Sequence, residues 1–101
     1  MNIDKEAFAK EVSAQQKERR AIEDEEAKKA IGRRLSSEAA RLDLSGTEAA
    51  ARAGCSRRTW LHYESGATTP DAAMLRRLDV LGFDVLYLVT GRRGGERKPN
   101  I

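Results

Sequence analysis

Residues 45–66 read SGTEAAARAGCSRRTWLHYESG, and the spacing within this stretch decides the fold. Alanine stands at 50, glycine at 54 and the large apolar Trp60 beyond them, with Ala49, Ala53, Cys55 and Tyr63 filling the positions between. That is the spacing of a helix-turn-helix, two short helices joined by a tight turn that often contains glycine. Ala50 carries only a methyl group, which lets the second helix approach closely. Gly54 accepts the positive φ that a Cβ would penalise. Trp60 and Tyr63 face inward and hold the second helix on the domain. Ser45 followed by Glu48 is a capping box, which predicts that the first helix starts at 46. Ser56 is placed to cap the second.

Together these positions resemble the lambda-repressor-like (Xre-type) helix-turn-helix family, whose pattern runs approximately L-S-x-x-E-x-A-x-x-x-G-x-S-x-x-T-x-x-x-Y-E-x-G-x-x-x-P. The chain supplies Leu44, Ser45, Glu48, Ala50, Gly54, Ser56, Thr59, Tyr63, Glu64, Gly66 and Pro70 at those places. The resemblance covers residues 31–91 and implies an all-α, five-helix lambda-repressor-like DNA-binding domain, with residues 1–30 as an N-terminal helical extension. Two positions depart from the pattern. Gly46 stands where the family commonly has Gln, which removes a side chain that often touches phosphate or a base. Trp60 replaces the usual aliphatic residue and predicts a locally different core. The run FDVLYLVTG at 83–91 also looks like the end of phage- and prophage-type members.

A chain of 101 residues holds one small domain plus an appendage. The single cysteine, Cys55, excludes an internal disulfide and a multi-cysteine zinc site. No secretory leader or membrane-length apolar run is present, so a cytoplasmic location in a bacterium or phage host is expected. The net charge is only +3, unevenly spread: seven Lys/Arg against eight Asp/Glu in 1–30, eight against seven in 31–91, and four against one in 92–101. The case for DNA therefore rests on position, since Arg57 and Arg58 open the second helix. A generic basic patch would act mainly through counterion release.

Residues 1–30 lack Pro and Gly and are rich in Ala, Glu, Lys and Gln, which predicts a helix with Asp4 as N-cap. Ile3, Phe8 and Val12 form a short apolar stripe, after which only alanines and Ile22 interrupt the charge runs KERR and EDEE. No heptad is sustained, so the segment reads as an exposed helix or partly disordered arm, or as an arm for dimerisation or a partner. Ile31, Leu35, Ala39 and Leu42 predict the first helix of the domain, with a bend or boundary at 30–32 because of Gly32. Arg33, Arg34 and Arg41 read as solvated, or one of them as a phosphate contact. Asp71 should cap a helix carrying Met74, Leu75, Leu78 and Leu81, and Asp84 a last one ending at Gly91. Phe83, Leu86 and Tyr87 either pack under the first helix or leave an apolar share exposed for a dimer interface. Residues 92–101 read as a mobile basic tail.

The base-reading candidates are Arg57, Arg58, His62 and Leu61, all on the second helix of the motif. Arginine offers a fork of donors matching O6 and N7 of guanine, and leucine can meet a thymine methyl. Phosphate candidates are Thr47, at the positive end of the first motif helix, with Arg52, Thr59, Ser65, Thr68 and Thr69. By resemblance, Glu64 is expected to tie down the following loop through backbone amides. No catalytic set, cofactor loop or metal cluster is recognisable, so an enzyme is not expected. The function implied is a sequence-specific regulator, a repressor binding double-stranded DNA as a homodimer on a two-fold operator. Two alternatives share the fold: an antitoxin whose residues 1–30 bind a partner protein, and a module used only for protein–protein interaction.

Overall fold

The fold is that of a computed structural model, which describes the backbone over residues 5–94 and the side chains over 13–94. Five helices make up the described residues: α1 (Lys5–Arg41), α2 (Gly46–Ala53), α3 (Arg57–Ser65), α4 (Ala72–Val80) and α5 (Val85–Thr90), with no strand. The expectations for Ile3, Asp4, Phe8 and Val12, and for the tail beyond 94, fall outside the described residues or side chains.

Each short helix starts where its sequence supplies an acceptor. Ser45, Ser56, Asp71 and Asp84 each accept from a backbone N–H three residues on, and Ser45 with Glu48 completes the reciprocal capping box. Such caps are worth about 1 kcal/mol apiece, a large share for helices of six to nine residues. Gly54 closes α2 with φ 76°, the left-handed turn its position demands.

The core draws on every helix: Leu35 and Ala39 of α1, Ala49, Ala50 and Ala53 of α2, Trp60 of α3, Met74 and Leu78 of α4, then Phe83 and Leu88. Trp60 is its centre, fully buried, with Phe83 and Tyr63 edge-on at centroid distances of 6.0 and 6.2 Å. The three alanines of α2 let that helix sit close enough to leave room for the indole. Leu86 and Tyr87 are half-buried, and Val89 remains 48% exposed.

Four expectations need correction. α1 does not break at Gly32 but runs through it, a single helix of 37 residues. Gly32 is buried because the C-terminal end of α3 crosses there: an added Cβ would lie 2.5 Å from the Tyr63 carbonyl oxygen and closer still to that of Glu64. The missing side chain serves close packing, so the helix penalty of glycine is offset by contact.

Arg34 and Arg41 are not simply solvated. Arg34 Nη1 donates to the Leu88 carbonyl at 3.1 Å, and Arg41 donates to the Gly82 carbonyl at 2.7 Å. Arg41 also grips Glu38 through two bonds of 2.8 and 2.9 Å. Glu38, the buried charged residue among those described, further accepts from the Asp84 amide at 2.8 Å and pairs with Arg93 at 3.1 Å. The Arg41 guanidinium above all, helped by the Asp84 amide and Arg93, holds the Glu38 carboxyl down at about 2 despite its burial. Arg93, expected in a mobile tail, is thereby anchored, and its guanidinium lies 3.8 Å from the centre of the Tyr87 ring. The fourth correction concerns Glu64, whose carboxylate meets Ser36 and Arg57.

Candidate nucleic-acid interface

α3 is fixed from behind, and that determines what it can present in front. Its inner face carries Trp60, fully buried, with Tyr63 and Glu64 half-buried. Its last turn rests on Gly32 of α1, and Gly66, at φ 82°, brings the following chain against the backbone of Lys29. The Tyr63 hydroxyl is pushed up by burial, in keeping with a core role. Burial likewise pushes up the Cys55 thiol, which is not an activated nucleophile.

What remains outward is a stripe. Arg58, Leu61, His62 and Ser65 are all exposed and recur at the three- and four-residue steps of one helix face. Arg58 carries no ion pair or hydrogen bond among the described residues. Leu61, 47% exposed, places an apolar surface in the middle of the polar stripe. Such a face combines a forked donor, an apolar contact and an imidazole, the side-chain types that read base edges in a major groove.

Arg57 stands apart from the stripe. Its Nη1 lies 3.6 Å from Glu64 Oε1, and its guanidinium fills the space where any side chain at Gly46 would project. Glu64 Oε2 in turn accepts from Ser36 Oγ at 2.6 Å. A run of polar contacts therefore leads from α1 through Glu64 to a positive charge at the N-terminal end of α2. The glycine that departs from the family pattern has a physical counterpart, because Arg57 occupies its vacant side-chain volume. With both partners partly exposed, the Arg57–Glu64 pair is worth about 0–1 kcal/mol and opens easily. Sequence reasoning had grouped Arg57 with Arg58. The link to Ser36 and Gly46 joins residues distant in the chain, and no local pattern announced it.

The remaining candidates divide by engagement. Thr47 and Arg52 are exposed at opposite ends of α2, and Thr69 is exposed in the loop after α3. Thr59 is half-buried, its amide bonded to Ser56 Oγ and its hydroxyl accepting from it, both at 3.0 Å. Ser65 Oγ donates to the His62 carbonyl at 3.2 Å and accepts from the Ala67 amide at 3.3 Å. The Thr68 amide donates to the same carbonyl. These contacts shape the loop, so the Thr59 and Ser65 hydroxyls already have partners. Among the described residues no group of three or more His, Cys, Asp or Glu could hold a metal ion, and no helix is long and apolar enough to cross a membrane.

Residues 30–85 match a protein family described as Helix-turn-helix domain. No curated protein and no solved structure matches the chain. The matched span takes in the capped α2, the Gly54 turn and the outward stripe of α3, more than half of the sequence, and the chain belongs to the helix-turn-helix domain family, as a DNA-binding protein.

Proposed function

We propose that the protein is a sequence-specific transcriptional regulator, a repressor that occupies promoter DNA as a homodimer on a two-fold operator. The observation that carries this reading is the outward stripe Arg58–Leu61–His62–Ser65 on a helix whose inner face is locked by Trp60. α3 enters the major groove, where Arg58 reads a guanine, Leu61 meets a thymine methyl and His62 bonds a base edge or phosphate. Arg57, with Thr47 and the first amides of α2, binds phosphate and sets register. Arg52, Thr68 and Thr69 extend that backbone contact. The functional unit is the domain of residues 31–91, with 1–30 as an arm. A second reading, an antitoxin whose arm grips a partner protein, is favoured by one observation: residues 13–27 are exposed throughout.

Selection of bound sequences from a randomised duplex pool tests the proposal. A palindromic motif is expected. Arg58→Ala should erase the preference at one position per half-site, a loss of about 1–3 kcal/mol there. Arg57→Ala should instead weaken all sequences alike and lower the salt slope by about one. Recovery of no motif even at low salt would overturn the base-reading role.

A further inference from the structure

The arm poses a problem that the DNA-binding face does not solve. From residue 13 to 27 every residue of α1 is exposed, so about 22 Å of helix is not buried against the other described residues. Isolated helices of that length are marginal in water, and most helical stability in proteins comes from packing. Ile22 is the exposed large apolar residue of this segment, at 61%.

The charges around Ile22 are ordered. Residues 17–20, Lys-Glu-Arg-Arg, carry +2, residues 23–26, Glu-Asp-Glu-Glu, carry −4, and only Ala21 and Ile22 lie between. Within the helix the acidic block is paired in part by a residue outside both blocks, Lys28, whose Nζ lies 3.5 Å from Glu25. Between two copies the arrangement discriminates. Side by side in parallel, each block would face its like. Turned end for end about an axis at Ala21 and Ile22, each basic block faces an acidic one, twice over by symmetry. Gln15, Arg19, Ile22, Glu26 and Lys29 share one helix face with Ile22 as its single apolar member, so the order of the charges, and not an apolar seam, sets the pairing.

We infer that residues 15–28 pair antiparallel with the same segment of a second copy of this chain, with the two-fold axis between residues 21 and 22, the two Ile22 side chains beside it and residues 17–20 against 23–26. A geometric consequence supports the choice of occupant. Gly32, where α3 rests on α1, lies about 16 Å along the helix from that axis, which sets the two α3 anchor points about 32 Å apart. Half-sites of a two-fold operator lie ~34 Å apart on one face of the duplex. The arm thus serves as a ruler between two reading heads. The spacing argument rests on the operator-binding reading; the pairing itself does not.

Disulfide trapping in the full chain tests the geometry, with Cys55→Ser as background so that the introduced thiol is the only one. Under mild oxidation Ile22→Cys should give a covalent dimer, and Gln15→Cys, far from the axis, should not. Separately, Lys17→Glu/Arg19→Glu/Arg20→Glu should lower dimer affinity at least about tenfold by sedimentation. Adding Glu23→Lys/Asp24→Lys/Glu25→Lys/Glu26→Lys to that chain should restore it. Equal trapping at 15 and 22 would overturn the antiparallel arrangement. A dimer that neither thiol traps would place the interface elsewhere, for instance around the exposed Val89, and a monomer at all concentrations would leave a solitary charged helix; either result overturns the inference. The duplex selection is read independently, so a palindromic motif without trapping would sink the arm pairing while leaving the regulator intact.

Discussion

Residues 13–27 and 31–42 lie on or adjoin the same helix, yet the first run exposes every side chain while the second buries Leu35, Glu38 and Ala39. The backbone does not register the change. The difference lies in what is available to pack: beside residues 29–36 stand α3 and the Gly66 turn, and none of the described residues buries 13–27. Continuity of a helix and continuity of a folding unit are therefore separate properties. One is set by local propensity, which Ala, Glu, Lys and Gln satisfy throughout, and the other by long-range burial.

The widest gap between the two regions should appear on truncating a large side chain. Trp60→Ala removes the centre of the core and should cost about 3–5 kcal/mol, enough to unfold a domain this small. Ile22→Ala, on the arm, should leave thermal unfolding of the domain unchanged in dilute monomer. A comparable loss from Ile22 in calorimetry would mean that the arm and domain fold as one unit.

Next in size is Glu38. Glu38→Ala strips Arg41, Arg93 and the Asp84 amide of their shared acceptor, and should cost about 3 kcal/mol. Protonation acts in the same direction. The carboxyl is held near 2 against 4.5 in the unfolded chain, so its stabilisation is complete above pH 4.5 and is lost as pH falls through 2. The difference in Tm between wild type and Glu38→Gln should shrink across that window. A difference that stays constant would mean that the buried carboxylate contributes no charge-dependent stability.

The smallest effects sharpen the contrast most. Gly32→Ala gains up to ~1 kcal/mol of helix propensity but drives a methyl into two backbone carbonyls, for a net loss of about 1–3 kcal/mol. Ala21→Gly is the converse. It should lower the helical signal of the arm by circular dichroism while leaving the Tm of the domain unmoved. If Gly32→Ala were stabilising, the tight α1–α3 crossing would be wrong.

These residues also mark where sequence reading succeeds. The caps at Ser45, Ser56, Asp71 and Asp84, the turn at Gly54 and the inward Trp60 were legible because each depends on neighbours within four residues. Gly32 was misread, because its partner is a carbonyl 31 residues away and local rules see only a weak helix former. Glu38 fell on the apolar face of α1 and so left a faint trace in the periodicity, but its partners at 84 and 93 lie beyond any local pattern. At the candidate site, the outward positions of α3 followed from helical spacing. The separation of Arg57 from Arg58 did not, since it depends on Gly46, Glu64 and Ser36 meeting in space.

The chain contains one tryptophan, and it lies fully buried on the inner face of α3, edge-on to two aromatic rings. Emission from this protein therefore starts from a dry, blue-shifted environment and moves to longer wavelength only when α3 leaves its seat. The arm, lacking tryptophan, is silent to that signal but contributes heavily to far-ultraviolet ellipticity. Two optical channels thus follow two parts of one helix-bearing chain, and fraying of the arm becomes visible as a lag between them on a single heating ramp.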